Sequence, residues 1–148
     1  MSWIQRAEYL DWLIQWREQR VIKVVSGVRR CGKSTLFKIY RDYLKTQGVQ
    51  DHQIIDINFE DLEFESMTDY KRLYAYIKEQ LLPNQMNYVF LDEVQHVEHY
   101  EKVVDSLFVK DNVDVHITGS NAFFMSGELA TLLSGRYVEL QMLPLSFK

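Results

Sequence analysis

The chain has 148 residues, of which 47% are hydrophobic and 14% aromatic, which predicts a single domain over residues 1–148 and excludes a disordered chain. Its formal net charge of −4 at pH 7 argues against a generic polyanion binder, so nucleic acid is not indicated as a partner. The sequence has no apolar run near the ~18 residues that a membrane span needs, no signal-peptide pattern and one Cys, and these features predict a cytoplasmic protein.

Hydrophobic periodicity alternates along the chain between helical and strand spacing. In chain order it predicts a helix over 3–18, a strand over 21–25, a helix from near 34 to 48, a strand over 54–59, a helix over 68–82, a strand over 88–91, a helix over 100–108, a strand over 113–118, a short helix around 122–133 and a strand over 137–143. Apolar strands that alternate with helices are typical of a parallel sheet covered on both faces. The predicted fold class is therefore α/β, a three-layer sandwich with a five-stranded parallel sheet.

The residues between the first strand and the second helix match a phosphate-binding loop, G-x-x-x-x-G-K-[ST]. They are Gly27, Val28, Arg29, Arg30, Cys31, Gly32, Lys33 and Ser34, followed by Thr35. The glycines let the backbone curl around an anion, and the N-terminus of the following helix favours negative charge. Lys33 is predicted to reach the β- and γ-phosphates of a nucleotide, and Ser34 to offer its hydroxyl to Mg²⁺. Because the pattern follows a strand and opens a helix, a simple glycine-containing turn is the weaker interpretation.

The charge distribution agrees with this position. Residues 1–50 carry ten Lys and Arg against four Asp and Glu, whereas residues 51–148 carry seven against seventeen. This asymmetry predicts a compact anion bound to the first half of the chain, with acidic groups supplied by the second. Cys31 is expected to pack inside the loop, and the neighbouring arginines to face outward.

Asp92 and Glu93 directly follow the apolar strand over 88–91. Two acids at the end of a buried strand are costly unless they meet a cation or a reactive water. We therefore predict that Asp92 holds Mg²⁺ and that Glu93 polarises the attacking water. The alternative is a solvated loop that begins after a core strand.

Polar residues also end the other strands. The strand that ends at Asn58 is predicted to lie beside the acidic strand, where its amide would reach Glu93. The strand that ends at Thr118 is predicted to lie between the phosphate-loop strand and the acidic strand, so that Asn121 would touch the γ-phosphate or the water. Ordinary Asx and Ser turns are the alternative for both positions.

Arg136 precedes the last strand, where its guanidinium would stabilise transition-state charge in its own or a neighbouring subunit. A surface arginine near a turn is the alternative. Four acids, Glu60, Asp61, Glu63 and Glu65, form either a solvated loop or a docking surface for a basic partner.

Four segments in order carry a resemblance to a known family. They are residues 27–36, 89–95 (VFLDEVQ), 117–122 (ITGSNA), and 133–137 (LSGRY) together with 143–147 (LPLSF). They resemble the prokaryotic AAA-like "ATP-binding protein" family, which is related to AAA+ and archaeal ATPases. The resemblance implies ATP and Mg²⁺ as cofactors, Asn58 as the polar residue that holds the catalytic Glu93, Asn121 as the first sensor and Arg136 as an arginine finger.

The same resemblance implies a longer protein. In that family a lid, a winged-helix segment and a nuclease-like domain follow the ATPase domain, so this chain would be the N-terminal portion, a helix over 3–18 and a nucleotide-binding core over 21–143. Its partners would be those missing domains and a second copy met through the Arg136 side.

Three functions are weighed on these residues. The first is hydrolysis of Mg-ATP that drives conformational change in a larger protein. The alternatives are a nucleotide-gated interaction module with little turnover and a phosphotransferase for a small substrate. A GTPase is disfavoured, because no N-K-x-D guanine-reading element occurs. Glu93 favours water as the acceptor, and turnover without an added acceptor would separate hydrolysis from phosphotransfer.

Overall fold

A computed structural model describes residues 2–28, 31–124 and 133–143, with side chains described from residue 7 onward. The helices are α1 Ser2–Gln15, α2 Lys33–Thr46, α3 Tyr70–Gln80, α4 Tyr100–Phe108 and α5 Asn121–Phe124. The strands are β1 Ile22–Gly27, β2 Ile54–Asn58, β3 Asn87–Asp92, β4 Val113–Gly119 and β5 Tyr137–Met142. Short 3₁₀ helices span Asp51–Gln53, Leu62–Thr68 and Val94–His96. Within these ranges no helix is long and apolar enough to cross a bilayer.

All five strands pair in parallel, in the order β2-β3-β4-β1-β5. The predicted α/β class and parallel sheet are confirmed, and β4 lies between β1 and β3 as the sequence indicates. Parallel pairing brings the carboxyl ends of the strands to one edge of the sheet, which is where open α/β sheets bind ligands. β1, which leads into the phosphate loop, is therefore flanked on both sides.

Two apolar cores lie on the two faces of the sheet. One packs α3 and α4 against alternate strand residues, with Val24 of β1 among them. The other packs α1 and α2 against the opposite side, where Val25 of β1 meets Phe37 of α2. Because neighbouring strand residues point to opposite faces, the interior strands β1, β3 and β4 are buried on both sides, and in β3 this explains the continuous apolar run over 88–91.

The element boundaries differ from the predictions at several points. α1 ends at Gln15 rather than 18, because Glu18 adopts a left-handed conformation (φ 60°) and its N–H donates to Asp114 Oδ2 at 2.8 Å. α3 begins only at Tyr70, since Asp69 caps it by accepting from the Lys71 N–H at 3.0 Å. The helix expected around 122–133 is described only over Asn121–Phe124, and residues 125–132 lie outside the described part of the chain.

A buried charged cluster on the α1 and α2 face was not predicted. Lys23 Nζ lies 2.7 Å from Asp114 Oδ1, and both side chains are almost fully buried. The ring of His116 stacks on Phe90, with centroids 4.3 Å apart, and its Nδ1 lies 3.1 Å from the Val89 carbonyl oxygen. Lys23 Nζ also donates to the Gln19 carbonyl at 2.7 Å, so the cluster fastens the turn after α1 to the sheet.

Acid is expected to destabilise the fold through His116. Burial lowers the pKa of His116 to about 4, whereas an unfolded histidine titrates near ~6.5. Between these values the unfolded chain binds more protons, so the free energy of unfolding falls as pH decreases, by about 3 kcal/mol in full. Urea unfolding between pH 7.5 and pH 4.5 measures this loss.

The variant His116→Gln should show a smaller loss of stability over the same pH range, and replacement of the exposed His52 by Gln serves as its control. Equal pH dependence in all three proteins would contradict the assignment to His116.

Candidate functional site

The phosphate loop joins β1 to α2 at the carboxyl edge of the sheet. Gly32 precedes α2 with φ +103°, a conformation that favours glycine. At Gly27 an added Cβ would overlap Cys31 Sγ and lie 3.3 Å from the Met142 carbonyl oxygen, so a larger residue would displace its neighbours. Cys31 is buried as expected, and burial raises the pKa of its thiol. Arg29 and Arg30 lie outside the described residues.

Lys33 points into this loop. Its Nζ donates to the carbonyl oxygens of Gly27 and Val28 at 2.9 and 3.1 Å and lies 3.4 Å from Glu93 Oε2. The residue is only 3% exposed. These three oxygens all accept from Lys33 and all lie at the predicted site, and the Cys31 sulfur lies 4.0 Å from the same nitrogen.

Asp92 joins the phosphate loop to the sheet. Its carboxylate oxygens accept hydrogen bonds from the hydroxyls of Ser34 and Thr118. Burial raises the pKa of Asp92, and the nearby Glu93 carboxylate adds to this, while the two hydroxyl donors act in the opposite direction. The structure therefore brings together the two residues predicted to hold a metal.

The donor set fits Mg²⁺. A hydroxyl and a carboxylate are hard oxygen ligands, which this ion prefers. Among the described residues no group of three or more His, Cys, Asp or Glu could hold a metal ion. A few protein oxygens, completed by phosphate and water, are what Mg²⁺ commonly uses at nucleotide sites.

Glu93 has a strained backbone and a fixed side chain. It adopts a left-handed conformation (φ 66°, ψ 58°), and its N–H donates to Thr118 Oγ1 at 2.8 Å. Its Oε1 accepts from Gln95 Nε2 at 2.8 Å. Strained conformations of this kind concentrate at functional sites. Sequence reasoning missed the contacts made by Thr118 and Gln95; the available signal was a hydroxyl at the last buried positions of β4 and an amide two residues after the acid.

The expected contact between Asn58 and Glu93 is not made among the described residues. β2 lies beside β3, as predicted, and Asn58 is in register with Asp92, but its Oδ1 accepts from the Glu60 N–H at 3.0 Å. This is the Asx turn that was the alternative interpretation. The turn uses the carbonyl oxygen of Asn58 and not its amino group, so the role of Asn58 toward Glu93 stays a prediction.

The predicted contacts of Asn121, Thr35 and Val28 with nucleotide are not tested by the structure. Asn121 begins α5 just beyond the end of β4 and lines a pocket with Glu139 and Gln141, so a contact with nucleotide stays a prediction. Thr35 is exposed in the first turn of α2, and Val28 is exposed in the loop. Their roles in binding also stay predictions.

Arg136 lies near the amino ends of the strands, at the edge of the sheet opposite the phosphate loop. Its carbonyl oxygen accepts from the N–H of Ile22, the first residue of β1, whereas the loop follows the last. The length of β1 places these two ends about 16 Å apart. The guanidinium lies 2.9 Å from Asp105 Oδ1 and over the ring of Phe108. The alternative in which Arg136 serves its own subunit is therefore wrong, because the side chain cannot span the sheet.

Comparison with known proteins places the chain among relatives. A model of the AAA domain family matches residues 19–148. An uncharacterized protein of Haemophilus influenzae is 50% identical over 146 residues, and an uncharacterized protein of Methanocaldococcus jannaschii is 36% identical over 133 residues. These matches cover 98% and 86% of this chain but 36% and 27% of the relatives. The chain thus spans about a third of the length of the curated relatives it matches.

Solved structures share the fold. Caenorhabditis elegans PCH-2 is similar with a TM-score of 0.63 and 18% identity, over 95% of this chain and 42% of that one. A chain of Drosophila ORC bound to DNA is similar with a TM-score of 0.62 and 11% identity, over 98% of this chain and 95% of that one. Identities this low establish the fold alone. The family match covers most of the chain, and the phosphate loop lies within it, so this chain belongs to the AAA domain family, an ATPase-like α/β family that its motifs resemble.

Proposed function

We propose that this domain binds Mg-ATP and hydrolyses it to drive conformational change in a larger protein. The observation that carries the proposal is that four side chains from two separate segments meet at one edge of the sheet. Lys33 and Ser34 come from the start of α2, and Asp92 and Glu93 from the end of β3, and they are linked by direct contacts between Ser34 and Asp92 and between Lys33 and Glu93.

Binding would exchange partners within this group. Lys33 would exchange the two loop carbonyls and Glu93 for phosphate oxygens, because the phosphates carry several negative charges. Ser34 and Asp92 provide the oxygen ligands for Mg²⁺, which neutralises part of the phosphate charge when bound. The amides of the loop and of the first turn of α2 supply further donors.

Hydrolysis would then depend on Glu93. Its carboxylate takes a proton from a water molecule as the water oxygen bonds to the γ-phosphorus, and the bond to the β–γ bridging oxygen breaks, releasing ADP and phosphate. Glu93 is released from Lys33 when a phosphate oxygen replaces the Glu93 carboxylate as the partner of the lysine. Without nucleotide, the contact with Lys33 therefore keeps Glu93 from acting as a base.

The position of Arg136 favours a second candidate function, a nucleotide-gated interaction module with little turnover. A positive group near the transferred phosphate can be worth about 10³–10⁵ in rate. Arg136 of the same chain lies across the sheet, engaged with Asp105. A phosphotransferase has no such supporting observation, and ATP turnover without an added acceptor would exclude it.

We expect the chain to bind ATP but to turn it over slowly, with a rate per mole that rises with protein concentration. The reason is that Arg136 can reach a nucleotide only on a neighbouring copy. Phosphate release measured across a range of protein concentrations tests this. Arg136→Ala should abolish the rise and spare ATP affinity.

The matched control is Arg20→Ala, because Arg20 lies over the same Phe108 ring and on the same side of the domain. If the rate is fast, independent of concentration and unchanged by Arg136→Ala, Arg136 has no catalytic role and is a surface residue near a turn. Loss of the rise in both variants would indicate a structural effect on this surface instead.

A further inference from the structure

Gln95 makes the shortest described contact with the carboxylate of Glu93. It lies on the 3₁₀ turn Val94–His96, which directly follows β3, and its Nε2 is 2.8 Å from Glu93 Oε1. The left-handed backbone of Glu93 turns the chain so that side chains two residues apart meet. The same turn that places Glu93 at the edge of the sheet thus also places Gln95 beside it.

The orientation of this amide is fixed by its neighbour. A carboxylate only accepts hydrogen bonds, so the amino group of Gln95 must face Glu93 and its carbonyl must face away. The carbonyl oxygen lies over Gly119, the last residue of β4, where an added Cβ would be 3.3 Å away. The side chain therefore bridges the ends of two neighbouring strands.

We propose that Gln95 is the positioning residue that holds Glu93 for water activation. Two described side chains contact the Glu93 carboxylate, Gln95 and Lys33. The inference rests on the proposed function, in which Lys33 moves to the phosphates when nucleotide binds. Gln95 is then the side chain that still donates to the carboxylate, and it fixes the direction of the second oxygen toward the water.

The buried polar atoms of Gln95 argue against a purely structural role. Its Oε1 is buried and has no hydrogen-bond partner among the described residues. An unpartnered buried carbonyl costs free energy, and an apolar side chain of the same shape would avoid that cost. The Gln95 side chain therefore lowers the stability of the fold, and what it supplies in return is the hydrogen bond from Nε2 to Glu93.

The test is Gln95→Met, which keeps the shape of the side chain and removes both polar atoms. We expect single-turnover hydrolysis to be about 10- to 100-fold slower, because a hydrogen bond to a charged group is lost. The Kd for Mg-ATP should change less than about twofold, and Tm should stay the same or rise. The variant Gln95→Glu also lacks the donor and should be at least as slow.

Gln53→Met is the matched control. Gln53 also lies on a 3₁₀ helix, and its Nε2 donates to the Met86 carbonyl at 3.0 Å, away from the site. It should lose stability without losing hydrolysis. If Gln95→Met instead lowers Tm and leaves the single-turnover rate unchanged, the amide is structural and the proposal is overturned.

A double variant separates this inference from the proposed function. In a Glu93→Gln background, Gln95→Met should slow hydrolysis no further, since the residue acts through Glu93. Loss of rate in Glu93→Gln but not in Gln95→Met would overturn the role of Gln95 alone. No loss of rate in Glu93→Gln would overturn the assignment of Glu93, and with it the proposed mechanism. Fully additive losses would show that Gln95 acts independently of Glu93 and would also overturn the proposal.

Discussion

Lys33→Ala is expected to weaken ATP binding by about 100-fold or more while leaving the fold intact. Lys33 would give phosphate a charge-assisted donor, and such bonds are worth about 1.5–3 kcal/mol each, with more than one oxygen in reach. Its side chain is held by loop carbonyls and Glu93 and belongs to neither apolar core. Isothermal titration calorimetry with Mg-ATP measures the loss.

The control is Lys38→Ala, which removes an exposed lysine from the same helix. It should bind ATP like the unchanged protein. Circular dichroism of both variants checks that α2 persists. Unchanged affinity in Lys33→Ala would remove the assignment of residues 27–34 as a phosphate loop.

Glu93→Gln is expected to retain Mg-ATP binding and to hydrolyse ATP about 10²–10⁴-fold more slowly, because the proton acceptor is lost. The substitution also removes the negative partner of Lys33, so ATP affinity should stay equal or increase. Rapid-quench measurement of phosphate release, combined with a binding titration, separates the two effects.

Asp92→Asn should act differently, by weakening the dependence of ATP binding on Mg²⁺. Asp92 meets the hydroxyl of Ser34, so its charge matters for the metal rather than for the water. Titrations with and without Mg²⁺ compare the two variants. Identical behaviour of Glu93→Gln and Asp92→Asn would mean that the division of roles between the two acids is wrong.

The features that could be predicted from the sequence are those written in contiguous residues. The phosphate loop needs glycines at fixed spacing, and its strand and helix follow from the flanking periodicity. Two strand placements were predicted, β2 beside β3 and β4 between β1 and β3, and the observed pairing confirms both. Roles of individual site residues stay predictions.

The features that could not be predicted depend on contacts between distant residues or on side-chain direction. The strand predicted over 21–25 contains Lys23, whose burial depends on an ion pair with Asp114, 91 residues away in the sequence. β2 lies beside β3 as expected, but the Oδ1 of Asn58 accepts from the N–H of Glu60 in a local turn. Backbone placement follows from strand order, whereas the hydrogen-bond partner of an amide depends on competition between near neighbours.

The central position of β1 has a consequence for the synthesis of the protein on the ribosome. Val24 of β1 is aligned with Ile117 of β4 and with Glu139 of β5, so both neighbours of this strand are made long after it. A nascent chain that ends before residue 113 has a phosphate loop attached to a strand with no hydrogen-bonded partner. Such distant pairings make folding slow. Ribosome-bound chains of increasing length should therefore begin to bind nucleotide only after β4 has left the exit tunnel. The nucleotide would then bind after β1 has paired within the sheet, and it would not nucleate the folding of the sheet.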